Sequence, residues 1–277
     1  MLVLESVTYR YAGAVRPALV DVDLAVGSGE VVGLCGASEA GKTTLGLVAS
    51  GLAPRAIRGR LDGRVLIDGI DVAAWAMHDL VAQVGICFQD PTTQLSGVCA
   101  TVYEEVAFGP MNLGLPRSEV VARADQAIET LRITELAERD PVRLSGGQMQ
   151  LVAIAGLLAL RPRHLVFDEP TAELDPAGTA LVGDAIVRLA ESGSPILIAE
   201  QRTDLLARIC TRVAVMEGGR IVLAGPAREV LADQRLDELG VPEPSAVRIR
   251  RRIVAAGLGG PRIEAALEAA LPASGPS

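Results

Sequence analysis

The chain has 277 residues, which at roughly 100–200 residues per domain is one large domain or one domain with an appendage. Hydrophobic residues at 49% and charged residues at 22% give a globular balance that excludes a disordered chain, a collagen-like repeat and a mini-protein held by disulfides. With 26 Lys+Arg against 34 Asp+Glu the formal charge is −8, and only 3% of residues are aromatic, so a nucleic-acid partner is not expected.

Cys35, Cys87, Cys99 and Cys210 form no C-x-x-C pair, which suggests neither a zinc site nor a disulfide framework and fits a reducing cytoplasm. The opening MLVLESVTYR lacks the basic-then-apolar order of a signal peptide. The longest apolar stretch, residues 151–160, is half of the ~20 residues that a membrane span needs, so any work at a membrane is expected to go through a partner.

In chain order, residues 7–11 and 20–26 alternate like strands, and residues 30–35 read as a buried strand running into a glycine-rich loop. A helix is predicted over 43–52, a hairpin over 62–72 turning at Asp68-Gly69, and a strand over 84–89. Between residues 90 and 143 the pattern turns helical, with the Pro- and Gly-punctuated residues 109–116 as a hinge or connection. From Leu144 the chain returns to alternation: helix 146–160, strand 164–167, a helix after Pro176, strand 195–199, a helix after Thr203, then strands 212–216 and 220–223. This order predicts an α/β fold with a mainly parallel sheet, an N-terminal antiparallel β portion and an inserted helical subdomain at about 90–160. The first 230 residues form the main domain in this reading, and residues 231–277, with the basic run Arg248-Ile249-Arg250-Arg251-Arg252, are a C-terminal extension.

Of the 26 basic residues only Lys42 is lysine. It lies in Gly36-Ala37-Ser38-Glu39-Ala40-Gly41-Lys42-Thr43-Thr44, a complete G-x-x-x-x-G-K-[ST] between a strand and a helix. Such a loop turns successive backbone N–H groups and a helix N-terminus towards phosphates, with Lys42 as point charge at the β/γ-phosphates and Thr43 on Mg²⁺. Glu39 is unexpected there, since a carboxylate repels the ligand unless it points to solvent.

Leu144-Ser145-Gly146-Gly147-Gln148 opens a helix, and Ser145 with Gln148 has the spacing of a capping box. Two glycines in the first turn each cost about 1 kcal/mol of helix propensity, which a backbone closely approaching an anion explains. His164-Leu165-Val166-Phe167-Asp168-Glu169-Pro170 is an apolar strand ending in two carboxylates, Asp168 placed to hold Mg²⁺ through its water shell and Glu169 to polarise an attacking water. His78 and His164 are read as structural.

These motifs in this order resemble the ATP-binding subunit of an ABC transporter over about the first 230 residues. The resemblance implies that Tyr11 stacks on adenine, with Tyr9 on the same strand face as its rival. It further implies that Gln89 senses Mg²⁺ and the membrane partner, and that Glu173-Leu174-Asp175 crosses to a second ATPase protomer. Residues 88–95, 101–110 and 113–116 resemble a narrower group, the ATPases of energy-coupling factor (ECF) importers of vitamins or transition-metal ions. In that group two ATPases ride on a transmembrane coupling protein that recruits a substrate-binding membrane subunit, so the resemblance implies a peripheral place at the cytoplasmic face of the cell membrane. ATP and Mg²⁺ are the implied ligands. The family usually has Glu-His-Arg after the strand at 195–199, whereas this chain has Glu200-Gln201-Arg202, so Gln201 occupies the switch position without a titratable charge. The alternatives are a soluble ABC-type ATPase of DNA repair or translation, and a nucleotide-gated subunit that hydrolyses weakly.

Overall fold

The computed structural model describes residues 1–80, 82–257 and 260; the remainder of the expected C-terminal extension lies outside the described residues. Strand β1 (Leu2–Tyr11) pairs antiparallel with β2 (Leu19–Val26) on one side and β4 (Gly59–Ile67) on the other, and β5 (Ile70–Asp71) closes the hairpin at Asp68-Gly69. The second sheet holds β3 (Val31–Gly36), β6 (Val84–Cys87), β7 (His164–Asp168), β8 (Ile196–Ala199), β9 (Arg212–Glu217) and β10 (Arg220–Pro226), in the order β10-β9-β3-β8-β7-β6. Strands β3, β6, β7, β8 and β9 run parallel and β10 is antiparallel to β9, in keeping with the predicted α/β class.

The helices are α1 (Lys42–Ala49), the short α2 (Leu52–Arg55) and α3 (Met77–Leu80), α4 (Val102–Asn112), α5 (Arg117–Leu131), α6 (Gly146–Ala159), α7 (Pro176–Glu191), α8 (Thr203–Ile209), α9 (Ala227–Val230) and α10 (Ser245–Ala255). The parallel strands are mostly apolar between their ends because both of their faces are covered. Successive side chains alternate between two cores. Val32 and Leu34 of β3 join Val166, Leu197 and Ala214 against the antiparallel sheet and α1. Val31 and Cys35 join Phe167, Ile198 and Val215 against α6, α7 and α8.

Several boundaries differ from the sequence reading. The helix expected over 43–52 stops at Ala49, and Gly51 at φ 73 turns the chain into α2. The expected connection at 109–116 shrinks, because α4 runs through Gly109 and the buried Pro110 to Asn112. Proline near a helix end forfeits one backbone bond, a loss that burial offsets here. Helices α4, α5 and α6 pack on one another in the region expected to be helical, and α6 also reaches β6 and α7. Leu231, Leu236 and Val241 are buried in the core of the parallel sheet, so packing continues past Val230 as far as Val241. The basic run lies on α10, which has no buried residue and is tied to α8 where Ser245 N and Oγ donate to Asp204 at 2.6 and 2.7 Å.

Candidate functional site

The order β3-β8-β7 sets the loop after β3 and the carboxylates at the end of β7 at the same end of the parallel sheet, one strand apart. Ligands of open α/β sheets bind at such carboxyl ends. Gly36 leaves β3 at φ 151, where a Cβ would lie 2.3 Å from the Met216 carbonyl of β9, so only glycine lets the loop start here. Gly41, at φ 106, is the residue from which α1 begins.

Lys42 is buried and its Nζ donates to the carbonyls of Gly36 and Ala37 at 2.9 and 3.0 Å, folding the ammonium back over the loop. Thr43 Oγ1 donates to Asp168 Oδ1 at 3.1 Å. Burial holds the Asp168 carboxyl above the ordinary carboxylate range; the Thr43 bond opposes this, the neighbouring Glu169 charge adds to it, and Lys42 lowers it. A hydroxyl beside one partly desolvated carboxylate suits a hard divalent cation that takes its other oxygens from phosphate and water. Thr43 and Asp168 would hold Mg²⁺, which supplies charge neutralisation on phosphate oxygens when bound. Among the described residues no cluster of three or more His, Cys, Asp or Glu could hold a metal by protein ligands alone.

Glu169 sits at φ 48, its N–H donating to the Ala199 carbonyl at 2.8 Å, and its Oε1 accepts the Gln201 side-chain amide at 2.8 Å. A cleft of about 330 Å³ joins these groups, lined by Ser38, Glu39, Lys42, Thr43, Glu169 and Gln201 among others. Glu39 is exposed at its rim, at φ 65. His164 is buried with Nε2 3.5 Å from Asp68 Oδ1, and His78 is exposed beside Asp79, neither near this cleft's lining.

The two candidate tyrosines separate. Tyr9 is fully buried, its hydroxyl donating to the Ile57 carbonyl at 2.8 Å. Tyr11 is half-buried, packs edge-on against Tyr9 with ring centroids 5.0 Å apart, and meets Thr44 Oγ1 at 2.9 Å through its hydroxyl. Tyr11 is the more exposed of the two, and it lines a neighbouring hollow with Arg10, Arg58 and Arg60, not the cleft itself. Gln89 is exposed two residues beyond β6 and does not line the cleft.

Ser145 to Gln148 also stand apart from it. Ser145 Oγ accepts from Gln148 N at 3.3 Å and Gln148 Oε1 accepts from Ser145 N at 3.1 Å, which is the capping box. Gly147 has a packing reason of its own: a Cβ there would lie 2.8 Å from Gly178 Cα, so this glycine lets α6 approach α7. Gly146 is exposed. Asp175 caps α7 by accepting from Gly178 N at 2.7 Å.

Sequence reading gives no role to Glu200, Arg202 or Thr171. Glu200 is 1% exposed, and its carboxylate accepts from Gln201 N at 2.8 Å, Arg202 N at 3.1 Å and the Thr171 hydroxyl at 2.5 Å. A carboxylate directly after a buried strand is the one local signal for it. Arg202 carries no such signal, since its acceptors lie far back in the chain.

Comparison with known proteins agrees with this geometry. Residues 19–172 match the ABC transporter family. The chain is 42% identical to the energy-coupling factor transporter ATP-binding protein EcfA1 of Symbiobacterium thermophilum, over 94% of this chain and 92% of that one. Among solved structures, cbiO1 of Clostridium perfringens, part of the ABC transporter complex cbiONQ, is 32% identical with a TM-score of 0.76, covering 90% of this chain and 98% of its own. A dimeric structure of the ATP-binding cassette MJ0796 in a post-hydrolysis state, bound to ADP and Pi, is 25% identical with a TM-score of 0.69, covering 82% and 99%. The chain therefore belongs to the ABC transporter family, as an ATP-binding, ATP-hydrolysing subunit similar to those of energy-coupling factor transporters.

Proposed function

We propose that the chain is the ATPase motor of an ECF-type importer, coupling ATP-driven closure of two protomers to uptake of a vitamin or transition-metal ion through membrane partners. The reading is carried by the separation of two half-sites within one chain. The phosphate cleft is lined by residues of the loop, α1, Glu169 and Gln201, while the exposed Ser145 and Gly146 at the start of α6 have no part in it. A nucleotide in the cleft meets such a helix start only from a second protomer, identical or paralogous. The ligand then bridges two chains and favours the closed pair by its differential affinity for it. The dimeric cassette with ADP and Pi supports this arrangement.

In this reading the backbone N–H groups of residues 37–43 and Lys42 bind the phosphates. Tyr11 stacks on adenine, and Gln201 orients Glu169, which accepts a proton from the attacking water. Gln89, exposed beyond β6, faces the membrane partner. Among the described residues no helix is long and apolar enough to cross a membrane, so a transmembrane coupling protein and a substrate-binding membrane subunit supply the pathway at the cytoplasmic face. A role in DNA repair or translation is not favoured, because the relatives are transporter subunits.

The test is Glu169→Gln in the full chain with its cognate ATPase partner present. Removing the proton acceptor while keeping the binding groups should stop hydrolysis and trap an ATP-dependent closed pair in sedimentation. A variant that stays monomeric at saturating ATP removes the two-protomer arrangement.

A further inference from the structure

We propose that Arg202 is a positioning residue that couples the chain's own phosphate cleft to its own α6 start, the part offered to the other protomer's nucleotide. The inference rests on the two-protomer reading above and adds to it a mechanical link between the two sites.

Three consecutive residues fasten one stretch of chain. Glu200 holds the Thr171 hydroxyl and, through the N–H groups of Gln201 and Arg202, fixes its own loop. Gln201 holds Glu169 inside the cleft. Arg202 donates to the carbonyls of Leu174 at 2.8 Å and Ala172 at 3.4 Å and to the Thr179 hydroxyl. Residues 169–179 are thus tied at five points to residues 200–202. The far end of that stretch touches the helix start: Leu174 lies against Gly146, and the Asp175-capped turn brings Gly178 against Gly147 so closely that no side chain fits between them.

A displacement of Gln201 by a γ-phosphate therefore passes through one peptide unit to Arg202, and through its guanidinium to residues 172–179 and the α6 start. The guanidinium suits this task because its donors form a rigid planar fork that spans several acceptors at once, whereas a lysine ammonium on a flexible stem does not. Arg202 does not line the phosphate cleft, so its effect is expected on turnover and not on nucleotide affinity.

Arg208 provides the control. It also joins α8 to α7, through Asp184 at 3.2 Å and the Ala180 carbonyl at 3.4 Å, but makes no bond to residues 172–175. In the full chain assembled with its ATPase and membrane partners, Arg202→Lys and Thr179→Val should lower kcat about tenfold or more. KM and the dissociation constant of trinitrophenyl-ATP should stay within about twofold, and cooperativity in ATP should fall. Arg208→Ala should change thermal stability with kcat within about twofold. Wild-type kcat in both Arg202→Lys and Thr179→Val overturns the coupling, as does an equal fall in Arg208→Ala; if Arg202→Lys does not fold, Thr179→Val decides alone. A wild-type chain that shows no ATP-dependent association overturns the two-protomer reading instead, which keeps the two failures distinct.

Discussion

Gln201 Nε2 donates to Glu169 Oε1 at 2.8 Å, so the residue at the proposed switch position holds the carboxylate proposed to polarise water. An amide makes this bond at every pH and cannot add a positive charge to it. An imidazole at the same place could share a proton with the γ-phosphate or the water as the reaction proceeds. Gln201→His is therefore expected to raise kcat with ATP affinity little changed, because the gain acts in the transition state. A positioned acid–base or orienting group contributes about 10²–10⁴-fold, so partial rescue is measurable. Single-turnover hydrolysis in the assembled transporter checks it; a flat or lower rate means that Gln201 already orients Glu169 adequately.

Lys42 is 5% exposed and enclosed by the carbonyls it binds. Lys42→Arg keeps the charge but puts a larger planar group into a space shaped for a compact ammonium. ATP binding should weaken at least tenfold, about 1.4 kcal/mol. Titration with a labelled ATP analogue decides, and an unchanged dissociation constant removes Lys42 from the phosphate site.

Asp168 links cation binding to stability. Its carboxyl is raised chiefly by burial, so the folded chain holds that proton more tightly than the unfolded chain does. Its stabilising contribution is complete below the ordinary aspartate value of about 3.9 and is lost as pH rises through the folded value. At neutral pH the ionised group is a liability that a cation relieves. Asp168→Asn is expected to raise the Tm of the nucleotide-free chain at pH 7, an advantage that disappears in acid. The same variant should abolish the shift produced by Mg-ATP, which at a hundredfold excess over Kd corresponds to about 2.7 kcal/mol. Calorimetry with and without Mg-ATP tests both, and an undiminished Mg-ATP shift would rule Asp168 out as a cation ligand.

The phosphate loop is legible in the sequence because strand, glycines, Lys42 and Thr43 are consecutive, and each residue type has a local physical reason. Asp168 and Glu169 are legible because two carboxylates following the apolar run Leu165-Val166-Phe167 gain nothing from the core and suit a cation and a water. What cannot be read depends on partners distant in sequence. Arg202 binds Leu174, 28 residues earlier, and nothing beside either residue announces the pair. The order β10-β9-β3-β8-β7-β6 likewise leaves no trace in periodicity, since the central strands β3, β7 and β8 contribute buried apolar residues to both cores. Pro110 looks like punctuation, yet burial carries α4 through it to Asn112.

The two glycines that open α6 can be separated by experiment. Helix propensity alone favours alanine at both by about 1 kcal/mol. At Gly147 a Cβ would lie 2.8 Å from Gly178 Cα, a backbone atom that cannot swing away, so α6 and α7 must move apart. Overpacking of this kind typically costs about 1–3 kcal/mol, and Gly147→Ala is expected to lower Tm despite the better propensity. At Gly146 the one near contact is Leu174 Cδ2 at 3.3 Å, the end of a side chain that can adjust, and the position is otherwise exposed. Gly146→Ala should therefore leave Tm unchanged or slightly raised. Its penalty is expected elsewhere, in the hydrolysis rate of the assembled pair, because the added methyl projects where the other protomer's nucleotide would approach the backbone N–H groups. Thermal melts of the isolated chain and ATPase assays of the assembled transporter, run on the same two variants, give opposite orders of severity if Gly147 serves packing and Gly146 serves the ligand. Equal losses in both assays would mean that the two glycines share one role.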